Sequence, residues 1–133
     1  MGKARPAAHE DAAMTAAIDY LANTDTVRIA TELSDGGEVV TPIWSVVVDD
    51  TAYIRSAYGP ESKWYRRVSR SGRAKFVDGA QRYPVTVEPV NDDAVNANVD
   101  GAYRTKYAAS PSLPDLLSPD VRGLTLRVIP QGG

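Results

Sequence analysis

Between Thr41 and Lys75 the chain reads TPIWSVVVDDTAYIRSAYGPESKWYRRVSRSGRAK: two apolar, β-branched runs pass through Tyr58-Gly59-Pro60 into a short helix crowded with cations. From Arg55 to Lys75 seven residues are basic (Arg55, Lys63, Arg66, Arg67, Arg70, Arg73, Lys75) against one acid, Glu61, in a chain whose net charge is −2. Like charges at helical spacing repel by roughly 0.2–0.5 kcal/mol per pair, so such a cluster is easiest to explain if it faces an anion. Lys63, Arg66, Arg67 and Arg70 fall at i, i+3, i+4 and i+7, one helical face, with Trp64 and Val68 opposite and Tyr65 flanking them. The helix therefore packs through Trp64 and Val68 and turns its cations outward. The alternative is a solvated basic face, or ion pairs across a subunit contact.

Around this segment the pattern is mainly β. Thr26–Leu33 alternates, with Val27, Ile29, Thr31 and Leu33 on one side, and reads as a half-buried strand. Asp35-Gly36-Gly37 turns it into a longer strand, Glu38–Val48, in which Pro42 implies an edge or a bulge because it cannot donate to a ladder. Asp49-Asp50 leads into Ala52–Ala57, where Arg55 faces opposite to Ile54 and Ser56. Gly59-Pro60 opens the basic helix, and Gly72 suits its end. Arg73–Val77 and Arg82–Val90 form a hairpin about Asp78-Gly79. Asn91-Asp92-Asp93 caps a second helix with Val95, Val99, Ala102, Tyr103 and Tyr107 as its apolar stripe. Ala108–Pro119, with three prolines, reads as loop, and Gly123–Pro130 as a last strand. Near the N-terminus, residues 1–10 read as a flexible tail and Asp11–Asn23 as a helix with Met14, Ala17, Ile18 and Leu21 on one face. The expectation is one domain over residues 11–133: a six-stranded antiparallel split β-barrel with a few short helices, closed so as to hide its edges.

Composition narrows the function. At 133 residues and 43% apolar content the chain can bury a core without staples. It has no cysteine, which removes disulfides, thiolate metal sites and a cysteine nucleophile. His9 is the only histidine and falls in the expected tail, so neither a Ser-His-Asp triad nor a histidine metal site is written in the sequence. No apolar run reaches the roughly 20 residues that span a bilayer. A cytoplasmic protein without membrane contact is the expectation, and the acidic balance argues against nucleic acid as a partner. Asp49-Asp50 and Asp92-Asp93 are adjacent pairs, read as turn and cap residues and not as an acid/base pair. What remains is the junction after the third β-run, Ala52–Ala57. Arg55, Ser56, Ser62 and Lys63, supported by Arg66, could form a phosphate or carboxylate cradle at a helix N-terminus. Arg104 and Lys106 could add charge at its mouth.

At these residues the chain resembles the FMN-binding split-barrel proteins, related to pyridoxamine-phosphate oxidase and to the deazaflavin-dependent nitroreductases. Within that fold it is most similar to a small uncharacterised bacterial family. The resemblance runs from about Asp25 to Pro130. It is carried by Thr41-Pro42-Ile43-Trp44, Tyr53-Ile54-Arg55-Ser56, Lys63-Trp64-Tyr65-Arg66 and Ala102-Tyr103-Arg104-Thr105-Lys106-Tyr107. It implies a homodimer with FMN or a deazaflavin at its interface. Ser62-Lys63, with Arg55 and Ser56 just before, would hold the phosphate. Pro42, Ile43 and Trp44 would pass the ring, and Trp64 would wall the pocket. Arg67 stands where the deazaflavin relatives carry Asn. The implied activity is oxidoreductase chemistry, with hydride passed to a small organic substrate. The alternative is a homodimeric binding module for another anionic small molecule, without the cofactor.

Overall fold

Trp44 interrupts the long strand expected over Glu38–Val48, and that break shapes the molecule. The computed structural model describes residues 8–131. Helix α1 (Ala8–Asn23) is followed by β1 (Val27–Glu32), β2 (Glu38–Ile43), β3 (Ser45–Val48), β4 (Thr51–Ile54), the basic helix α2 (Lys63–Ser71), β5 (Arg73–Asp78), β6 (Gln81–Pro89), α3 (Asp93–Lys106), two short helices α4 (Leu113–Leu117) and α5 (Pro119–Arg122), and β7 (Leu126–Pro130). One sheet takes all seven strands in the order β2-β1-β5-β6-β7-β4-β3, each pair antiparallel. The first and last members of that order are neighbours in the chain, joined by Trp44 alone. The sheet must therefore curl until its two ends meet at that residue, while β2 and β3 share no ladder among the described residues. This is the expected split barrel, with seven strands in place of six because one is cut in two.

The turns follow their residues. Asp49 and Asp50, at φ of 50° and 65°, make the two-residue link between β3 and β4, a left-handed pair that Asp tolerates better than most residues. Gly79, at φ 60°, turns β5 into β6. Gly72, at φ 75°, ends α2, and its N–H donates to Val68 O at 2.7 Å. At the start of α3, the Asp92 carboxylate accepts from Ala94 N and Val95 N, a cap worth about 1 kcal/mol.

Two apolar clusters result. Inside the barrel, Ile29, Ile54, Val68, Phe76 and Leu126 pack with Leu21 of α1 and Trp64 of α2. Outside it, α3 lays Val99, Tyr103 and Tyr107 over Val46 and Tyr53, and Leu116 and Val121 of the short helices complete the layer. Thus Trp64 and Val68 are the buried face of α2, as their spacing predicts. On α1, Ala17 and Leu21 are buried, whereas Met14 stays exposed.

Several boundaries differ from the sequence reading. Of the expected tail, residues 1–7 lie outside the described residues, while Ala8 already begins α1. The side chain of His9 is also outside them. The helix expected from Gly59-Pro60 starts at Lys63, because Ser56–Ser62 forms a turn first. The Ala52–Ala57 strand stops at Ile54. The expected loop over Ala108–Pro119 contains α4, and α5 starts at Pro119; each has proline in its first turn, where the missing N–H is harmless.

Candidate functional site

Arg55 emerges from the end of β4 into the layer beneath α3, with its side chain fully buried. Each guanidinium nitrogen is engaged. Nε donates to Thr125 Oγ1 at 2.9 Å. Nη1 donates to Asp100 Oδ1 at 2.6 Å and Leu116 O at 2.9 Å. Nη2 donates to Asn96 O at 3.1 Å and Asn96 Oδ1 at 3.3 Å. A guanidinium has five N–H donors, so none is left for a phosphate. Arg122 Nε lies 2.8 Å from the other oxygen of Asp100, an ion pair whose alignment falls short of a hydrogen bond. The expected role of Arg55 as a phosphate ligand is therefore corrected: it ties β4 to α3, to α4 and to Thr125 before β7.

The rest of the expected cradle divides. Ser56 is buried; its hydroxyl donates to Gly59 O at 2.6 Å and shares a hydrogen bond of 2.9 Å with Ser62 Oγ. These two serines close the turn before α2 on each other. Lys63 is exposed, and Arg66 reaches Glu61 only at 3.9 Å, with both side chains largely in water, a pair of little energetic weight. Arg67 is drawn sideways, its Nε donating to Thr31 Oγ1 at 2.7 Å. Arg73 faces Glu32 at 3.5 Å. The basic run is thus partly answered by Thr31 and Glu32 of β1, leaving Lys63, Arg66 and Arg70 as the outward cations of α2. At its N-terminus α2 has no side-chain cap: Ser62 makes no such bond, and no acid occupies the first turn. Uncapped N–H groups there attract an anion.

Beside that terminus lies a cleft of about 210 Å³, lined by Pro42, Ile43, Trp44, Tyr58, Trp64 and Asp115 among others. Trp44, the residue at the break after β2, lines this cleft together with Trp64 from the first turn of α2. Pro42, Ile43, Trp44 and Trp64 therefore share one wall system, although they come from distant parts of the sequence. Arg55 also borders the cleft, but with its guanidinium engaged behind it. Behind Trp44 the wall is stiffened by stacking: its ring lies 4.1 Å from that of Tyr107 at an interplanar angle of 4°, and Tyr103 lies beyond, 5.8 Å from Tyr107. Tyr107 donates from its hydroxyl to Asp25 O at 2.6 Å and accepts from Ser45 N. Burial pushes the Tyr107 phenol up to about 12 and raises that of Tyr103 further, so both rings are neutral at ordinary pH.

Tyr58, Asp115 and Ser112 were not singled out by sequence reasoning. Tyr58 is 89% exposed at the cleft rim; its only signal was its place in Tyr-Gly-Pro, read as a helix opener. Asp115 and Ser112 sit in the proline-rich segment read as loop. Arg104 is exposed, and Lys106 turns away from this cleft into another recess.

The sheet order and the break at Trp44 define a class by fold: the split β-barrels. Within it, a bacterial family described as "Uncharacterized protein conserved in bacteria (DUF2255)" matches residues 17–128. The chain belongs to that family. No curated protein matches the sequence. Among solved structures, the conserved hypothetical protein Rv2991 of Mycobacterium tuberculosis superposes with a TM-score of 0.59 at 17% identity, over 94% of this chain and 83% of that one. A Listeria innocua protein named provisionally as a pyridoxamine 5'-phosphate oxidase gives 0.61 at 11% identity, over 88% and 92%. An F420 reductase gives 0.56 at 14% identity, over 86% and 92%. At these identities the likeness is one of fold.

Proposed function

We propose that the chain binds a flavin-type cofactor, FMN or a deazaflavin, with its ring in the cleft between Trp44 and Trp64. The observation that carries this reading is the convergence of Pro42, Ile43, Trp44 and Trp64 on one aromatic cleft beside an uncapped, cation-flanked helix N-terminus. The names of the split-barrel neighbours support the choice, since one is an F420 reductase and another is named provisionally as a pyridoxamine 5'-phosphate oxidase. The aromatic walls fit a planar ring. The fit to the phosphate is narrower than the sequence suggested: it rests on Lys63, Arg66 and the first N–H groups of α2, without Arg55, and with Ser56 and Ser62 shaping the turn behind them.

When bound, such a ring supplies hydride transfer to a small organic substrate. The chain's own part is to orient and shelter it: Trp44, braced by Tyr107, fixes one wall, Trp64 the other, and Tyr58 stands at the open rim. A homodimer with the cofactor near its interface is part of the proposal, as is a cytoplasmic setting; no helix among the described residues is long and apolar enough to cross a membrane.

The experiment is a thermal-shift titration with FMN and with F420 on the parent protein and on Lys63→Ala/Arg66→Ala. Both side chains are exposed, so the double variant should unfold within about 0.5 kcal/mol of the parent. It should bind the cofactor at least tenfold more weakly. Equal affinity would remove these cations from the site. A parent that responds to neither cofactor would favour the second reading, a homodimeric binding module for another anionic small molecule without the cofactor; Glu61 beside the helix N-terminus and the engagement of Arg55 weaken the phosphate site.

A further inference from the structure

Lys106 belongs to a different place. In the last turn of α3 it lines a second, larger recess of about 480 Å³ between α1, β3 and α3. Its Nζ donates to Leu21 O at 2.8 Å and Ser45 O at 2.7 Å, and it stands 5.2 Å from the Tyr107 ring centroid. Both acceptors are neutral carbonyls. An ammonium has three donors, and the third has no partner among the described residues. Burial, against the weaker opposing pull of Asp25, holds this amine down to about 8. It is a half-buried cation without a carboxylate in contact.

A second observation comes from Gly101. Glycine inside a helix costs about 1 kcal/mol relative to alanine, and one usually finds a backbone or packing reason for it. Here there is neither: Gly101 has no positive φ, and a Cβ at this position would meet nothing within 4 Å. What the glycine does is keep the wall of this recess open. The floor opposite is Val46, Val47 and Val48 of β3.

The recess also has two distinct ends. Lys106 is fixed at the Ser45 end by its hydrogen bond. Asn98 lies about 12 Å back along α3 at 1.5 Å per residue, and Asp49 follows β3, about 13 Å from Ser45 at 3.3 Å per residue. Both line the same recess, so an apolar trough runs from an ammonium at one end to a carboxylate and an amide at the other.

We propose that this trough binds a linear small molecule with a carboxylate at one end, an amine at the other and an apolar chain between. The carboxylate meets Lys106, the chain lies over Gly101 and Val47, and the amine points toward Asp49. This site is separate from the aromatic cleft and stands or falls without it.

The test is calorimetric titration with 8-aminooctanoate, octanoate and octylamine. The parent should bind 8-aminooctanoate saturably, at least tenfold more tightly than octylamine. Gly101→Leu leaves the Lys106 hydrogen bonds in place and improves helix propensity, so its unfolding temperature should not fall while its affinity falls at least tenfold. Asp49→Asn should bring 8-aminooctanoate down to the affinity of octanoate. Lys106→Met should abolish binding; because it also unties α3 from α1, Gly101→Leu carries the decision. No saturable binding of 8-aminooctanoate by the parent, or equal binding by Gly101→Leu, would overturn the proposal.

Discussion

Arg55 shows what a residue's type can and cannot announce. An arginine between a strand and a basic helix draws the eye as an anion ligand, yet its partners Asn96, Asp100, Leu116 and Thr125 lie 41 to 70 residues further along. Nothing local in the sequence encodes them, so the network was not legible there. Trp64 and Val68 were legible, because helical spacing alone sets their face. The two roles of Arg55 separate cleanly by experiment. Arg55→Met leaves the nearly buried Asp100 with only the misaligned Arg122, and unfolding in urea should show a loss of about 3–5 kcal/mol; a phosphate ligand would instead lose affinity at unchanged stability. Lys106 and the two buried tyrosines give a pH signature. The Lys106 amine falls from its ordinary 10.5 to about 8 on folding, so between those values the unfolded chain holds the extra proton and stability rises with pH. Tyr107 moves the other way, from 10 up to about 12; above pH 10 the unfolded chain loses its proton first, and stability falls. Urea midpoints should therefore climb from pH 8 toward 10 and then drop, and Lys106→Met should abolish the climb. A flat profile in the parent would contradict this.

At the scale of elements, most strands and both long helices could be read from alternation, periodicity and turn residues. The break at Trp44 could not. Glu38–Val48 is largely apolar and β-branched, its one irregularity is Pro42, and the pairing of its halves with different partners, β1 on one side and β4 on the other, divides it two residues later. The two short helices escaped for a similar reason: their prolines read as loop, and they are held by Leu116 and Val121 packing under α3. The helix ends offer a simple check. Asp92 caps α3 through two backbone N–H groups, and Gly72 ends α2 in a left-handed conformation. Asp92→Ala and Gly72→Ala should each lower stability by about 1 kcal/mol, measured from urea midpoints at constant slope. Changes below a few tenths would mean that these ends are held by tertiary packing instead.

For the whole molecule, the same break that cuts one strand in two lets the sheet close and leaves Trp44 lining the same cleft as Trp64. The candidate site is thus a product of topology: its aromatic members were visible in the sequence as separate motifs, its rim residues Tyr58, Ser112 and Asp115 were not, and its expected arginine belongs to the scaffold. The chain contains two tryptophans, and both line this cleft. A flavin ring seated there would lie within reach of every tryptophan in the protein. The most direct measurement is therefore a titration of the parent protein with FMN and with F420, following tryptophan emission with excitation chosen to spare tyrosine. The structure predicts saturable quenching of most of that emission by one of the two ligands, the same one that raises the unfolding temperature. Binding that leaves the tryptophan emission unchanged, or no binding of either ligand, would contradict a flavin-type site in the cleft.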